Sequence, residues 1–583
     1  MFENQYRWRN RQIRHHVEVL DGKRSPTILL KNATYLNGIL KKWIKGHVWI
    51  YQDRIVYTGQ QLPEYVDDAC EIVDCEGQLL VPGYIEPHAH PAQLYNPLSF
   101  AQYASLSGTT TLINDNLQLA FLLSKKEAFT FIKELQKIPV NMYWWCRVDS
   151  QTELPKEEEV FSNQSFQWWI HEETVLQAGE LTAWPRLLDG DDLMLHWIQE
   201  TKRLNKKVEG HFPGASEKTL AKLKLLGADS DHEAINGEEV MRRLMQGYMV
   251  SLRHSSIRPD LPRLLTDLQA MGLDTYEYLM LTTDGSTPAF YEKGVMAPLI
   301  EIAIKHGVPA MDAYLMATLN PARYFQLDHI HGHIGTGRVA DINFIQDENN
   351  PYPHSVLAKG QWVKKDHKPI YHYERDMIDW EKFGFQSLDL NWELTVDDLS
   401  ISIPFGIQLE NTVITKPYSP NLDMSIEKIP EGRDECFFIL VDREGKWRVS
   451  SVIKGFANNL DGLASSFTAS GDILLIGKSK RDLLRAFQRM KELGGGIVIA
   501  EEDKVLFELP LPLLGQMSKE ALEKLIPLEK RLVQLLQERG YPFRDPLYTL
   551  SFFTATHLPY VRVTPSGVYE VKKKRVLFPS VMR

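Results

Sequence analysis

The sequence predicts an α/β protein built around a TIM-like (β/α)8 barrel, with a small flanking β-sandwich domain and a C-terminal α+β domain. Between residues 79 and 284, short β-rich runs alternate with longer amphipathic stretches, a pattern typical of βα repeats. Strand-like segments with turn residues lie on both sides of that region. Beyond about residue 385, the order of strands and helices no longer follows the βα alternation.

The chain has 583 residues, of which 43% are hydrophobic, so it can build more than one core. We expect the β-sandwich to be assembled from two separate parts of the chain. The predicted boundaries are 1–78 for the N-terminal part of the sandwich, 79–334 for the barrel, 335–385 for the C-terminal part of the sandwich and 386–583 for the α+β domain.

Short strands separated by turn residues predict the sandwich. Its first part reads TILLKNATYLN, GHVWIYQDRIVYTG and CEIVDCEG, and its second part reads HGHIGTGRVADINFIQ and SVLAKGQWVKKDHKP. In the C-terminal domain, CFFILVD, KWRVSSVI and DILLIG are predicted strands, and KRDLLRAFQRMKELGGG has the periodicity of an amphipathic helix.

Eight runs predict the barrel strands, and helical segments such as DDLMLHWIQETKRLN separate them. The predicted strands are LLVPGYI (79–85), TTTLIND (109–115), VNMYWWCRVD (140–149), TVLQAGE (174–180), KVEGH (207–211), ADSDH (228–232), YMVSLRH (248–254) and LMLTTD (279–284).

Charge and cysteine content exclude several classes of partner. A net charge of −10 and a pI near 6.0 give no reason to expect nucleic acid or an anionic membrane surface. No apolar run approaches the length of a membrane helix or a signal core, and four sparse cysteines argue against a disulfide framework. We therefore expect a cytoplasmic protein with a small-molecule partner, and the sequence leaves self-association open.

Polar residues lie at the C-terminal ends of several predicted strands. In a (β/α)8 barrel the active site lies at the C-terminal ends of the strands, so side chains there meet in one pocket. Taken singly, a histidine or an Asp-Gly pair is more often structural than functional. Six such residues, each at the end of a predicted strand, favour one shared site: His88, His90, Glu180, His211, His232 and Asp284.

Four imidazoles and two carboxylates can surround two divalent cations and leave room for water. Such a site makes hydroxide available near neutral pH, and Glu180 is a suitable bridging carboxylate. Asp284 would act both as a ligand and as the group that carries a proton to the leaving group. The sequence therefore predicts a metal-dependent hydrolase.

Several motifs, taken in order, resemble those of the adenine deaminase family within the amidohydrolase superfamily. Those in the barrel and sandwich are PGYIEPHAH (82–90), GTTTLIND (108–115), AGEL (178–181), VEGHFPG (208–214), GADSDHEA (227–234), LTTDGSTP (281–288), ATLNPARYF (317–325) and GHIGTGRVADINF (332–344). The motifs LASSF (463–467), GGGIVI (494–499) and LPLPLLGQMS (509–518) resemble the family's additional C-terminal domain.

The resemblance implies that the same six residues are the metal ligands, with Glu180 bridging the two ions. It implies hydrolysis of adenine to hypoxanthine and ammonia by a metal-bridging hydroxide, and so a place in purine metabolism. Manganese or iron is the metal that the family suggests, with zinc as the alternative.

Three stretches depart from the family pattern around the substrate. Asp-Pro-His-Glu is replaced by Asp115-Asn116-Leu117-Gln118, and Arg-Glu-Gly-Ser by Arg253-His254-Ser255-Ser256. In the C-terminal domain, His-Asp-Ser-His-Asn is replaced by the segment 468–472, which has no histidine. We expect the substrate-binding residues to be Asp115, Gln118, Arg253 and His254.

Two other functions stay open, because altered donors and acceptors change which ring a pocket selects. The first is hydrolysis of a C–N bond in a different cyclic amide or amidine. The second is a catalytically silent relative that binds a purine. Retention of six metal ligands argues against the second, because such a polar cluster is costly to keep buried without a metal or water.

Overall fold

A computed structural model describes residues 9–154, 157–401, 405–423 and 425–583. Its central sheet has eight strands, each parallel to its neighbours and arranged in chain order, as predicted for a (β/α)8 barrel. The barrel strands 1 to 8 are Tyr84–Ala89, Thr109–Asn114, Asn141–Cys146, Val175–Leu181, Lys207–Gly210, Ser230–Asp231, Met249–Arg253 and Leu279–Thr282.

The run 79–85, predicted as one barrel strand, is two strands in different sheets. Leu79–Pro82 pairs with strands of the flanking sheet, whereas Tyr84–Ala89 is barrel strand 1. Gly83 joins them at a close approach of the chain, where a side chain would collide with Thr110. Both strands are apolar and buried, so their hydrophobic pattern contains no sign of the break.

Helices surround the barrel and cover its apolar strands. Ser124 and Ser216 show why helices begin where they do, because each side chain accepts a hydrogen bond from a backbone N–H of the first turn. The α-helices of this region are Pro97–Leu106, Leu117–Leu122, Lys125–Leu135, Glu157–Val160, Asn163–Ile170, Trp184–Leu188, Asp192–Arg203, Glu217–Leu225, Gly237–Met245, Leu261–Ala270, Ala297–Lys305, Ala310–Met316 and Leu319–Tyr324, with a 3-10 helix at Pro288–Lys293.

Both flanks of the barrel contribute to one further sheet, as expected for the predicted sandwich. Leu79–Pro82 pairs with Ile28–Asn37 from the N-terminal flank and with Ile342–Ile345 from the other, and thereby joins the two flanks. A helix at Asn10–Leu20 precedes this sheet. Its strands are Ile28–Asn37, Lys42–Tyr51, Arg54–Gly59, Glu71–Asp74, Leu79–Pro82, Ile342–Ile345, Ser355–Ala358, Gln361–Lys365 and Lys368–Pro369.

The C-terminal region has α+β architecture. Its main sheet comprises Gly406–Leu409, Thr415–Tyr418, Glu435–Val441, Trp447–Lys454, Gly462–Ser465, Ile473–Gly477, Gly496–Glu501, Lys504–Pro510 and Val581–Met582. A smaller sheet comprises Val561–Thr564, Gly567–Glu570 and Arg575–Pro579. The α-helices are Lys480–Glu492, Leu522–Glu538 and Pro546–Phe552, and the 3-10 helices are Glu381–Phe383, Asp397–Leu399 and Val571–Lys573.

Within the described ranges, every helix is too short or too polar to cross a membrane. All four cysteines are unpaired thiols.

A buried arginine ties a barrel helix to the segments behind the strand ends. Arg243 donates hydrogen bonds to Asp231 Oδ1 at 2.5 Å, to the Phe212 carbonyl at 2.8 Å and to the Glu239 carbonyl at 3.0 Å. Asp231 ends barrel strand 6, directly before His232, and is itself fully buried. The arginine therefore balances a carboxylate that has no access to solvent.

Replacing Arg243 with Met should lower the free energy of unfolding by about 3 to 5 kcal/mol, because it leaves the Asp231 carboxylate buried without its counter-charge. Urea-induced unfolding followed by circular dichroism measures the change. The matched control is Arg242→Met on the same helix, whose partner Glu238 is exposed, and it should cost less than about 1 kcal/mol. Equal effects of the two substitutions would contradict this account of the barrel.

Candidate active site

The structure brings all six predicted metal ligands together at the C-terminal ends of the barrel strands. His88 Nε2 lies 3.0 Å from Asp284 Oδ1 and 3.2 Å from His90 Nε2. His90 Nε2 lies 3.2 Å from the same Asp284 oxygen. Strands 1 and 8 are therefore joined at this end by a cluster of three donor atoms.

A second cluster forms around Glu180 at the end of barrel strand 4. Glu180 Oε1 lies 2.5 Å from His211 Nδ1 and 3.2 Å from His232 Nε2. Glu180 also comes within 4.8 Å of donor atoms of both His88 and His90. Because its carboxylate reaches both clusters, it occupies the position that a bridging ligand requires.

This donor set fits two divalent cations by its chemistry. Imidazole nitrogen and carboxylate oxygen are common ligands of first-row metals, and each cluster contains both types. His88, His232 and Asp284 form a third group of mutually close donors, so the two clusters are continuous. All six residues are therefore close enough together to hold metal ions.

Glu209 orients two of these histidines, a role that the sequence did not reveal. Its Oε1 lies 2.8 Å from His88 Nδ1 and 3.4 Å from His232 Nδ1, which leaves Nε2 of each ring facing the site. Burial raises the pKa of Glu209, but the two imidazoles outweigh it and hold the pKa at about 2. The only sequence signal was its place in the strand KVEGH, two residues before His211.

Asp115 has a similar relation to His90. Asp115 Oδ2 lies 2.9 Å from His90 Nδ1, and Arg147 binds both of its carboxylate oxygens at 2.7 and 2.9 Å. Arg147 also lies 2.9 Å from Glu180 Oε2. Arg147 was missed from the sequence because the predicted strand 140–149 included it, whereas barrel strand 3 ends at Cys146, directly before it.

Arg253 and Glu233 complete the charges around Asp284. Arg253 Nη1 lies 2.6 Å from Asp284 Oδ2 and 2.5 Å from Glu233 Oε1, and Arg258 Nη1 lies 2.5 Å from Glu233 Oε2. Burial raises the pKa of Asp284, but Arg253 and then His88 outweigh it and hold that pKa well below its usual range. Asp284 is therefore held on one side by the histidines and on the other by a guanidinium.

Glu86 fixes the backbone that carries Asp284. It lies in barrel strand 1 and is fully buried. Its carboxylate accepts hydrogen bonds from the hydroxyls of Thr282 and Thr283, each at 2.7 Å, and from the Thr283 N–H at 2.9 Å. These hydrogen bonds thus connect the first and last barrel strands directly beneath the candidate ligands.

A cavity of about 490 Å³ opens at this end of the barrel, and its lining includes four of the six candidate ligands, namely His90, Glu180, His211 and Asp284. Asp115, Gln118 and Arg253, which the sequence predicted to bind substrate, all line it. The described lining does not include His254, whose ring lies 5.5 Å from that of Phe290. The substrate role predicted for His254 therefore lacks the support that the other three residues have.

The C-terminal domain forms part of the wall of this cavity. Its lining residues include Phe467, Ala469, Gln516, Tyr548, Phe552 and His557. Ala469 belongs to the segment 468–472 that departs from the family pattern. The barrel and the C-terminal domain therefore both contribute residues to the cavity wall.

Hydrogen bonds from the C-terminal domain also hold the loops that carry the ligands. The hydroxyl of Tyr548 donates to the Gly285 carbonyl, and Glu529 accepts from the Ala289 N–H at 2.6 Å. Ser518 N–H donates to the Leu94 carbonyl at 2.6 Å, behind the loop that follows His90. The positions of Asp284 and His90 thus depend on this domain.

Comparison with known proteins gives matches over the whole chain. The family model described as "Amidohydrolase family" matches residues 79–363, and the model described as "Adenine deaminase C-terminal domain" matches residues 412–575. The crystal structure of a beta-aspartyl dipeptidase from Fervidobacterium islandicum shares 18% identity, with a TM-score of 0.47, over 60% of this chain and 100% of that chain.

Two relatives match this chain over nearly all of their own lengths. A Bacillus cereus protein named "Putative adenine deaminase" is 56% identical over 581 residues, which are 100% of this chain and 98% of that protein. A Kosmotoga olearia protein named "Adenine deaminase" is 28% identical over 575 residues, which are 95% of this chain and 96% of that protein. These matches confirm the predicted resemblance: the chain belongs to the adenine deaminase family of amidohydrolases.

Proposed function

We propose that this protein is a metal-dependent adenine deaminase that converts adenine and water to hypoxanthine and ammonia. The observation that carries the proposal is the convergence of His88, His90, Glu180, His211, His232 and Asp284 beneath a cavity that the C-terminal domain helps to line. We take adenine as the substrate from the names of the relatives, and the geometry supports a site for hydrolysis.

Two divalent cations bound by these six side chains would lower the pKa of water and so supply a nucleophile near neutral pH. Asp284 accepts a proton from the attacking water and passes it to the amine that leaves as ammonia. Its Oδ1 faces His88 and His90, so it would adjoin a water molecule activated by metal ions that these residues hold. Arg253, at 2.6 Å from Oδ2, keeps the carboxylate in that orientation.

Asp115, Gln118 and Arg253 are the proposed contacts to the substrate, because all three line the cavity. Asp115 is paired with Arg147, and Arg253 is paired with Glu233. These two residues therefore contribute paired charges to the cavity wall. Gln118 is a neutral amide that can both donate and accept a hydrogen bond. Gln118 stands where the family pattern has a glutamate. This difference therefore changes which edge of a substrate ring the cavity prefers.

The finer assignments are proposals as well. Manganese or iron fits a set of imidazoles and carboxylates, with zinc as the alternative. Four unpaired cysteines suit the reducing cytoplasm, which we propose as the compartment for a role in purine metabolism.

Removal of metal should abolish ammonia release. Protein purified with manganese or iron should contain about two metal ions per chain and release ammonia from adenine, because the six ligands are arranged as two clusters. Metal analysis before and after treatment with a chelator, with ammonia assays on adenine, other purines and cyclic amidines, makes the test.

Two results would contradict the proposal. One is a fully metal-loaded protein that leaves adenine unchanged. The other is a ring-opened product without free ammonia, which would favour hydrolysis of a different cyclic amide or amidine.

Replacing Asp284 with Asn should lower kcat by at least about 100-fold, because an amide cannot carry the proton to the leaving amine. Bound metal should change little, since five other ligands remain. Metal content and the rate of ammonia release are measured on the same preparation. Asp274→Asn, at an exposed position, is the control, and unchanged turnover in D284N would reject the proton-transfer role.

Replacing Glu209 with Gln should weaken metal binding by about 10- to 100-fold, because His88 and His232 lose the carboxylate that orients their rings. Competition with a metal-binding dye measures the affinity. Glu277→Gln, on the exposed surface, is the matched control. An affinity equal to that of the unmodified protein would show that Glu209 does not orient these ligands.

A further inference from the structure

His557 is the one histidine of the described cavity lining that lies outside the set of candidate metal ligands. It comes from the C-terminal domain, in the turn between the helix Pro546–Phe552 and the strand Val561–Thr564. Its ring lies 5.9 Å from the ring of His211 and 5.6 Å from that of Phe552, as measured between centroids. A side chain of the C-terminal domain thus stands beside the candidate metal centre.

Gln151 connects His557 to that centre. The Gln151 carbonyl lies 3.3 Å from His557 Nδ1 and accepts a hydrogen bond from the Thr556 N–H at 2.9 Å. The side-chain amide of the same Gln151 donates to Glu180 Oε2 at 3.0 Å. One residue of the barrel therefore positions both the bridging carboxylate and the imidazole of His557.

This contact determines which nitrogen of His557 is free for a ligand. A carbonyl oxygen can only accept, so Nδ1 carries the hydrogen and Nε2 keeps its lone pair. Over the described ranges, Nε2 makes no hydrogen bond with the protein. The ring therefore offers one neutral acceptor to a molecule in the cavity.

The turn that carries His557 is held firmly from behind. Arg562 is 1% exposed and donates to the carbonyls of Phe552, Leu558 and Pro559 at 3.2, 3.3 and 2.7 Å. Thr152 also donates to the Thr554 carbonyl at 2.7 Å. A turn fixed at this many points keeps the imidazole in one orientation.

The turn packs directly on the segment 468–472, which has no histidine. Ala469 N–H donates to the Ser551 carbonyl at 3.0 Å, and Ser470 N–H donates to the Thr554 hydroxyl at 3.2 Å. His557 is thus a histidine that the C-terminal domain contributes from another part of its sequence.

The carboxylates that line the cavity are already engaged. Asp115 and Glu180 pair with Arg147, and Glu233 and Asp284 pair with Arg253. A ring N–H of a bound base would have to compete with a guanidinium for any of these oxygens. His557 Nε2 has no such competitor.

We propose that His557 is a substrate-binding residue whose Nε2 accepts a hydrogen bond from a ring N–H of the purine base in the cavity. The proposal rests on the proposed function, since it takes a purine as the ligand. His557 thereby makes the C-terminal domain responsible for part of the substrate specificity.

Two substitutions separate the hydrogen bond from the structure of the turn. His557→Asn can keep the contact with the Gln151 carbonyl but has no acceptor at the position of Nε2, whereas His557→Gln can restore an acceptor there. We expect H557N to raise the KM for adenine about tenfold, with metal content unchanged, and H557Q to recover part of that loss.

Methylated bases identify the interaction itself. The inhibition constants of 7-methyladenine and 9-methyladenine are measured against adenine turnover in the unmodified protein and in H557N. Neither methylated base has a ring N–H, because methylation of N7 or N9 removes the single imidazole N–H of adenine. H557N should therefore cause no further loss of binding for either base, whereas it should weaken the binding of adenine. The control is His171→Asn, an exposed histidine whose Nδ1 also faces a carbonyl.

The outcomes distinguish this proposal from the proposed function. If the unmodified protein does not act on adenine, the proposed function fails first. If it does, an unchanged KM in H557N, or an equal loss for adenine and both methylated bases, overturns the role of His557. A melting temperature measured for each variant, together with the recovery in H557Q, separates loss of the acceptor from damage to the turn.

Discussion

The mouth of the barrel depends on a balance of buried charge. Among the described residues, the buried carboxylates around the site include Asp115, Glu180, Glu209, Glu233 and Asp284. Among the described residues paired with them, the permanent positive charges are three arginines, Arg147, Arg253 and Arg258. Buried carboxylates without counter-charge are costly in free energy, so the excess negative charge must be balanced by protonated imidazoles or by cations. Divalent metal ions meet it without protonating the histidines that would bind them.

The same arrangement explains why three of the four candidate histidines present a defined nitrogen. His88 and His232 share Glu209, and His90 is held by Asp115, which is in turn held by Arg147. These partners lie behind the rings, so the opposite nitrogens converge on the site. A network of this kind limits the motion of the ligands and prepares the site before any ion or substrate enters.

The C-terminal domain belongs to the active site as much as the barrel does. It lines the cavity, holds the Gly285 carbonyl through Tyr548 and contributes His557 to the wall. Variation in this domain can therefore change the cavity wall without changing the candidate metal ligands. That separation fits a chain in which all six candidate ligands are present while the stretches predicted to surround a substrate depart from the family pattern.

The sequence by itself determined the order of the barrel strands and the six residues at their ends, because strand periodicity and the geometry of parallel barrels are local and general rules. It could not separate Leu79–Pro82 from Tyr84–Ala89, since two consecutive apolar strands have one continuous pattern. Only the tertiary structure revealed Glu209, Arg147 and His557, because their roles come from partners distant in the chain. Gln151 and His557 are 406 positions apart, and no pattern in the sequence records that they meet.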